Sequence, residues 1–157
     1  EPCFIINMFD IILTEYIYFS SIVKKYIMNT KLDKILAEIS AGELIDKITI
    51  LEIKKIKISN KDKLANVEKE LKSLNDTFKK FIREPAILQN YRIKLKDINL
   101  KLWDIEDGKR LAEKNSDFGE EFIKLARNVY KFNDERARIK LQINEILGSS
   151  IKEIKSY

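Results

Sequence analysis

The stretch Phe118–Leu147, FGEEFIKLARNVYKFNDERARIKLQINEIL, decides the fold of this chain. Its apolar residues recur at the three- and four-residue spacing of an amphipathic helix that packs along other helices. They are Phe118, Phe122, Leu125, Val129, Phe132, Ile139, Ile143 and Ile146. The one interrupted position holds Arg136. Because an unpaired buried charge is costly, Arg136 is expected to be paired, hydrated or functional.

Three more amphipathic helices are predicted upstream of this stretch. The first runs over about residues 41–58, with Ser40 as N-cap and Glu43 completing a capping box. The second carries apolar residues from Leu64 to Phe81 and ends before Pro85, since proline disfavours helix in the residue preceding it.

The third predicted helix has two apolar stripes. One stripe runs from Leu88 to Ile105, and the other contains Ile93, Leu100 and Trp103. A helix with two apolar faces is either central in its bundle or contacts another subunit. Gly108 makes a kink or early fraying of this helix an expectation, because glycine is a poor helix former.

The last helix is predicted to start at Asp117 as N-cap, with Glu120 three residues later, and to end at Gly148. Loops of roughly three to five residues make consecutive helices antiparallel neighbours. We therefore predict an all-α fold, an antiparallel helical bundle or long helical hairpins of about four helices, with residues 29–157 as one domain.

Residues 1–28 differ in composition from the rest of the chain. They are mostly apolar, with Asp10 and Glu15 as the only charges before Lys24. We predict either that the natural start is Met28 or that residues 1–27 are an appendage outside the folded domain. The alternative is a membrane or interfacial anchor formed by residues 4–25, which the two acidic residues make marginal as a membrane span.

Composition excludes several classes of site. The chain has 30 basic and 25 acidic residues, and its net charge of +5 is dispersed, which argues against nucleic-acid binding. Histidine is absent, so His-dependent triads, typical zinc sites and ferritin-like di-iron sites are out. No metal or cofactor is expected. The single Cys3 provides no internal disulfide and fits a reducing, cytoplasmic location.

Polar residues beside the apolar stripes form the candidate site. It comprises Asp46, Glu52, Trp103, Asp104, Asp107, Arg127, Tyr130, Asn133, Asp134 and Arg136. In one interpretation these residues bind an anionic ligand or stabilise developing charge. In the other they form an ion-pair network that sets helix register. Arg127 is expected near the acidic residues that follow Trp103, and Arg136 further along, nearer the middle of the bundle.

Several stretches together resemble a known family. They are residues 39–54 (ISAGELIDKITILEIK), 102–107 (LWDIED), 125–130 (LARNVY), 133–137 (NDERA) and 155–157 (KSY). The chain resembles a bacterial family of small proteins of unknown function, numbered 6165, over about residues 39–157. The resemblance implies a bacterial, cytoplasmic protein and carries no activity. The chain departs from the family pattern at Gly108-Lys109 and at Ile154.

Two function classes follow. The first is a non-enzymatic interaction or assembly module, acting as a homo-oligomer or on a protein partner, as the second stripe of the third helix indicates. The alternative is an all-α enzyme or small-molecule binder that uses the arginine and carboxylates on an anionic ligand. Whether the protein is an enzyme stays open at this point.

Overall fold

The computed structural model describes residues 15–24, 35–83 and 85–154. The chain divides into two compact units, Glu1–Ala37 and Glu38–Tyr157. In the first unit, residues 15–24 are helical and are called α1. The remainder of the predicted appendage and anchor, and the KSY stretch at residues 155–157, lie outside the described residues. The predictions for residues 1–28 therefore stay predictions.

The second unit is built from four helices. They are α2 (Ala41–Lys57), α3 (Lys61–Phe81), α4 (Ala86–Asn115) and α5 (Glu120–Ile146). No strand occurs anywhere in the described ranges. The predicted all-α class and approximate helix number are confirmed.

Local hydrogen bonds explain where these helices begin and end. Ser40 Oγ accepts from the Glu43 N–H at 3.1 Å, and Asn60 Oδ1 accepts from the Lys63 N–H at 3.0 Å. These side chains satisfy backbone donors that have no partner inside the helix. At the far end of α5, Gly148 has φ +63° and provides the predicted left-handed termination.

The predicted start of α5 is wrong. The helix begins at Glu120 with Gly119 as its N-cap, and no side chain caps it. Asp117 instead accepts a hydrogen bond from the Gly119 N–H at 3.1 Å. An aspartate readily bonds the backbone two residues ahead in a turn, and this local bond competes with its use as an N-cap.

The helix at the centre of the bundle is α2. It contacts α3, α4 and α5, whereas α5 contacts α4 and α2. Its residues Ile48 and Ile53 are both buried although they point to different sides. The core consists of Leu44, Ile45, Ile48, Phe78, Leu88, Leu95, Ile98, Leu102, Ile139 and Ile143. A short helix that is apolar on two sides is better placed to be enclosed than a long helix with one stripe.

Helix α4 also departs from expectation at Gly108. The helix continues through this residue without interruption from Ala86 to Asn115. A Cβ at Gly108 would lie 3.0 Å from Leu125 Cδ1, so the glycine permits a close approach of α5. The second stripe of α4 stays open to solvent, with Ile93 64% and Leu100 38% exposed.

Candidate functional site

A buried polar junction joins α2 to α4. The Asn99 amide nitrogen donates to Asp46 Oδ1 at 2.8 Å and to Thr49 Oγ1 at 3.0 Å. Thr49 Oγ1 in turn donates to the Asp46 carbonyl at 2.8 Å. Asp46 and Asn99 are each only 4% exposed. Because buried polar groups need partners, this junction fixes the register of α4 against α2.

Arg136 extends the junction to α5. Its Nη1 donates to Asn99 Oδ1 across 3.5 Å, which is long for a hydrogen bond. The Asn99 amide therefore donates to α2 through its nitrogen and accepts from α5 through its oxygen. Arg136 itself is half-buried.

The electrostatics of Asp46 reflect this environment. Burial raises the pKa of its carboxyl above the ordinary value, while the Asn99 hydrogen bond and the positive charges of Arg136 and Lys140 act in the opposite direction. The net effect is upward. Asp46 is thus easier to protonate in the folded protein than in the unfolded chain.

Lys140 lies one helical turn beyond Arg136 and holds two carboxylates. Its Nζ is 2.7 Å from Glu43 Oε2 and 2.6 Å from Glu153 Oε2, and the lysine side chain is 8% exposed. Burial alone would lower the pKa of this ammonium, but the bonds to Glu153 and Glu43 raise it on balance. Lys140 therefore stays charged, and it ties the C-terminal tail and the start of α2 to α5.

Asn144 lies one turn beyond Lys140 on α5, and its side chain bonds the first turn of α2. Its Oδ1 accepts from the Gly42 N–H at 2.6 Å, and Ser149 Oγ accepts from the Ala41 N–H at 3.3 Å. A Cβ at Gly42 would lie 2.5 Å from the Lys140 carbonyl oxygen. Glycine is therefore required where α2 meets α5.

Arg136 lines two of the clefts found among the described residues. The tail cleft, of about 470 Å³, lies between α5 and the C-terminal tail. Its polar lining is Tyr130, Asn133, Asp134, Arg136, Lys140 and Glu153. The tryptophan cleft, of about 290 Å³, has the polar lining Asn99, Trp103, Glu106, Asp107, Arg110 and Arg136. Arg136 lines both clefts.

Six of the ten predicted site residues line these clefts. Trp103 and Asp107 line the tryptophan cleft, Tyr130, Asn133 and Asp134 line the tail cleft, and Arg136 lines both. Asp46 lies behind Arg136, bonded to Asn99.

The remaining three predicted residues lie elsewhere. Glu52 pairs with Arg92 at 2.7 Å and with Lys96 at 2.8 Å, forming a separate bridge between α2 and α4. Asp104 is exposed and pairs with Lys57 at 3.0 Å. Arg127 is exposed, and within the described ranges it forms no ion pair with the acidic residues after Trp103.

Sequence reasoning missed Asn99, Lys140, Arg110 and Asn144. A signal for three of them is present in the spacing. Asn99 falls four residues after Leu95 and three before Leu102, which places it on the core stripe of α4. Arg136, Lys140 and Asn144 follow each other at four-residue spacing and so form one polar stripe on α5. No comparable signal marks Arg110.

The described residues contain neither a cluster of metal-ligating side chains nor a helix able to cross a membrane. Among them, no group of three acidic or cysteine side chains is arranged to hold a metal ion. None of the helices searched in the same ranges has the length and apolar character required to cross a bilayer.

The chain matches one known protein family. A family model described as Family of unknown function (DUF6165) matches residues 35–157. The chain belongs to this family. The match confirms the resemblance seen in the sequence, and it includes every residue of the two clefts. No curated protein and no solved structure matches the chain.

Proposed function

We propose that the protein binds a small anionic ligand at Arg136. The observation that carries the proposal is that this half-buried arginine lines both clefts. Across the described ranges, no carboxylate lies within 4 Å of its guanidinium, and its hydrogen bond to Asn99 spans 3.5 Å. The buried cation one turn further along α5, Lys140, already holds two carboxylates.

A guanidinium presents five N–H donors in a planar fork that matches a carboxylate or phosphate. In Arg136 one donor reaches Asn99, and the residue lines two clefts that solvent or a ligand can enter. Partial burial strengthens charge-assisted hydrogen bonds relative to those on an open surface. The buried Asp46 behind Asn99 offsets part of the arginine charge and keeps the site from attracting anions indiscriminately.

Thermal denaturation of the full chain with a panel of carboxylates and phosphates tests this proposal. A ligand that binds the folded state raises the melting temperature as its concentration exceeds its Kd. We expect at least one anion to do so with the parent chain and with Arg138→Gln, whose arginine is exposed. Arg136→Gln should abolish the rise. Stabilisation of Arg136→Gln to the same extent, or of no variant by any anion, would contradict the proposal.

A second candidate function is an interaction or assembly module. It is favoured by the outer face of α4, defined by Ile93 and Leu100, which lie seven residues apart on one side of the helix. Neighbouring exposed apolar side chains on a regular helix are typical of a contact surface. A homo-oligomer or a protein partner would cover this face, and a cytoplasmic location remains our prediction from the lone cysteine.

Sedimentation velocity of the full chain tests this second candidate. We expect a concentration-dependent increase in sedimentation coefficient that Ile93→Glu removes. Ile56→Glu is the control, because Ile56 is also exposed, at 76%, but lies on α2. A parent chain that stays monomeric at all concentrations would rule out self-association through this face.

A further inference from the structure

The tryptophan cleft combines an aromatic wall with hydrogen-bonding groups of both kinds. Trp103, Ile50 and Leu102 provide its apolar surface. Asn99, Glu106 and Asp107 provide oxygen acceptors, and Arg110 and Arg136 provide N–H donors. An apolar wall with a few convergent polar groups is the usual composition of a small-molecule site.

Two arginines and two carboxylates line this cleft, and the buried Asp46 lies behind Arg136. Glu106 also pairs with Lys109 at 3.0 Å. Asp107 then faces two arginines, Arg110 and Arg136, in the cleft lining. Because carboxylates lie beside both arginines, a ligand with one negative charge fits this cleft better than a dianion.

The acceptors in the lining restrict the ligand further. A simple anion would satisfy the arginines but would place its charge near Asp107 and Glu106 without offering them a hydrogen bond. Hydroxyl groups can donate to those carboxylates while the anionic group binds an arginine. The ligand should therefore carry several donors besides its charge.

Size and the aromatic wall point to a single ring. The volume of about 290 Å³ is at the lower limit of ligand pockets, which is about 300 Å³. It suits one ring and is small for a nucleotide. The indole of Trp103 offers a flat apolar face against which such a ring can pack.

We propose that the tryptophan cleft selects a hydroxylated ring bearing one carboxylate, as in a uronic acid. This inference rests on the proposed function and assigns that function to one of the two clefts. Arg136 and Arg110 bind the carboxylate, Asp107 accepts from ring hydroxyls, and Trp103 packs against the ring.

Fluorescence of Trp103 provides the test, because it is the single tryptophan of the chain. The full chain is titrated with glucuronate, and with three probes that each lack one feature: glucose has no charge, acetate has no ring, and benzoate has no hydroxyl groups. We expect a saturable change with glucuronate at a Kd about tenfold or more below that of each other probe. Glucose 1-phosphate, largely dianionic at neutral pH, should also bind more weakly.

Two carboxylate variants locate the binding. Asp107→Asn removes a charged acceptor from the cleft and should weaken glucuronate binding about tenfold. Asp104→Asn is the matched control, since Asp104 is exposed, pairs with Lys57 and is not part of the cleft lining. It should leave the Kd unchanged.

Each outcome discriminates between the two proposals. Equal binding of benzoate or acetate would overturn the inference that hydroxyls or a ring are recognised. An anion that stabilises the chain through Arg136 without changing Trp103 fluorescence would overturn this inference while leaving the proposed function intact. If no anion, glucuronate included, stabilises the chain, both this inference and the proposed function are contradicted.

Discussion

Gly42→Ala should strongly destabilise the protein, although alanine normally improves a helix. A Cβ at this position would lie 2.5 Å from the Lys140 carbonyl oxygen and 2.9 Å from Asn144 Oδ1. The first of these atoms belongs to the backbone, so the start of α2 must move away from α5. That movement stretches the 2.6 Å hydrogen bond from the Gly42 N–H to Asn144.

The magnitude follows from three contributions. Overpacking costs about 1–3 kcal/mol, and a buried donor that loses its partner costs about another 1–3 kcal/mol. The intrinsic helix preference of alanine over glycine returns about 1 kcal/mol. We expect a net loss of about 1–5 kcal/mol in the free energy of unfolding.

Gly108→Ala is the matched control. It also replaces a glycine inside a helix, but the nearest atom to the new Cβ is the end of a flexible side chain, Leu125 Cδ1, at 3.0 Å. A small rotation of that leucine accommodates the methyl group. Urea unfolding followed by circular dichroism should show Gly108→Ala within about 1 kcal/mol of the parent. If Gly42→Ala were equally stable, the close approach of α2 to α5 would be refuted.

Three further predictions concern the polar contacts between helices. The pKa of Glu52 is lowered, because hydrogen bonds from its two cationic partners outweigh burial, which alone would raise it. The ion pairs of Glu52 therefore stabilise the fold at pH values above 4.5, the ordinary pKa of this carboxyl. This stabilisation is lost as the pH falls through the lower pKa of the folded state. Glu52→Gln should lower the free energy of unfolding by about 1 kcal/mol at pH 7, and by nothing at a pH where Glu52 is protonated in both the folded and the unfolded chain. The control Asp97→Asn, which removes an exposed ion pair, should stay within about 0.5 kcal/mol of the parent. A cost of Glu52→Gln that is independent of pH would contradict this prediction. Asn99→Leu should lower the free energy of unfolding by about 3 kcal/mol in urea, because Asp46 loses its buried donor; a loss below about 1 kcal/mol would show that the junction is dispensable. Lys140→Met should cost about 3 kcal/mol in the same assay, since two glutamates lose their common cation, and an unchanged midpoint would argue against the triad.

The helices of the second unit were predictable because their signals are local. The Ser40 cap and the Pro85 boundary depend on residues within one turn of the helix end, and both predicted positions agree with the structure. The start of α5 was not predictable in the same way. Asp117 satisfies the pattern of an N-cap, but its carboxylate bonds Gly119 and the helix starts later.

The site was only partly predictable, because pairing across helices depends on rotation and register. Lys55 is well placed to pair with Glu52 along α2, yet it pairs with Glu68 of α3, and Glu52 reaches Arg92 and Lys96 of α4. Spacing within one helix cannot choose between such partners.

The anomaly at Arg136 was visible in the sequence, but its companions were not recognised. Asn99 and Asn144 are polar residues directly after core isoleucines, and each bonds a different helix. Only the assembled bundle shows that Asn99 lies between Arg136 and Asp46 and bonds both.

The most direct test of the account is the side-chain NMR signal of Arg136. Its Nε–H resonance can be assigned by its loss in Arg136→Gln and followed while the full chain is titrated with glucuronate or phosphate. We predict a saturable shift of this resonance, with the signal of the exposed Arg138 unchanged. A resonance of Arg136 that does not respond to any anion, or that moves only in parallel with Arg138, would contradict a ligand site at this arginine.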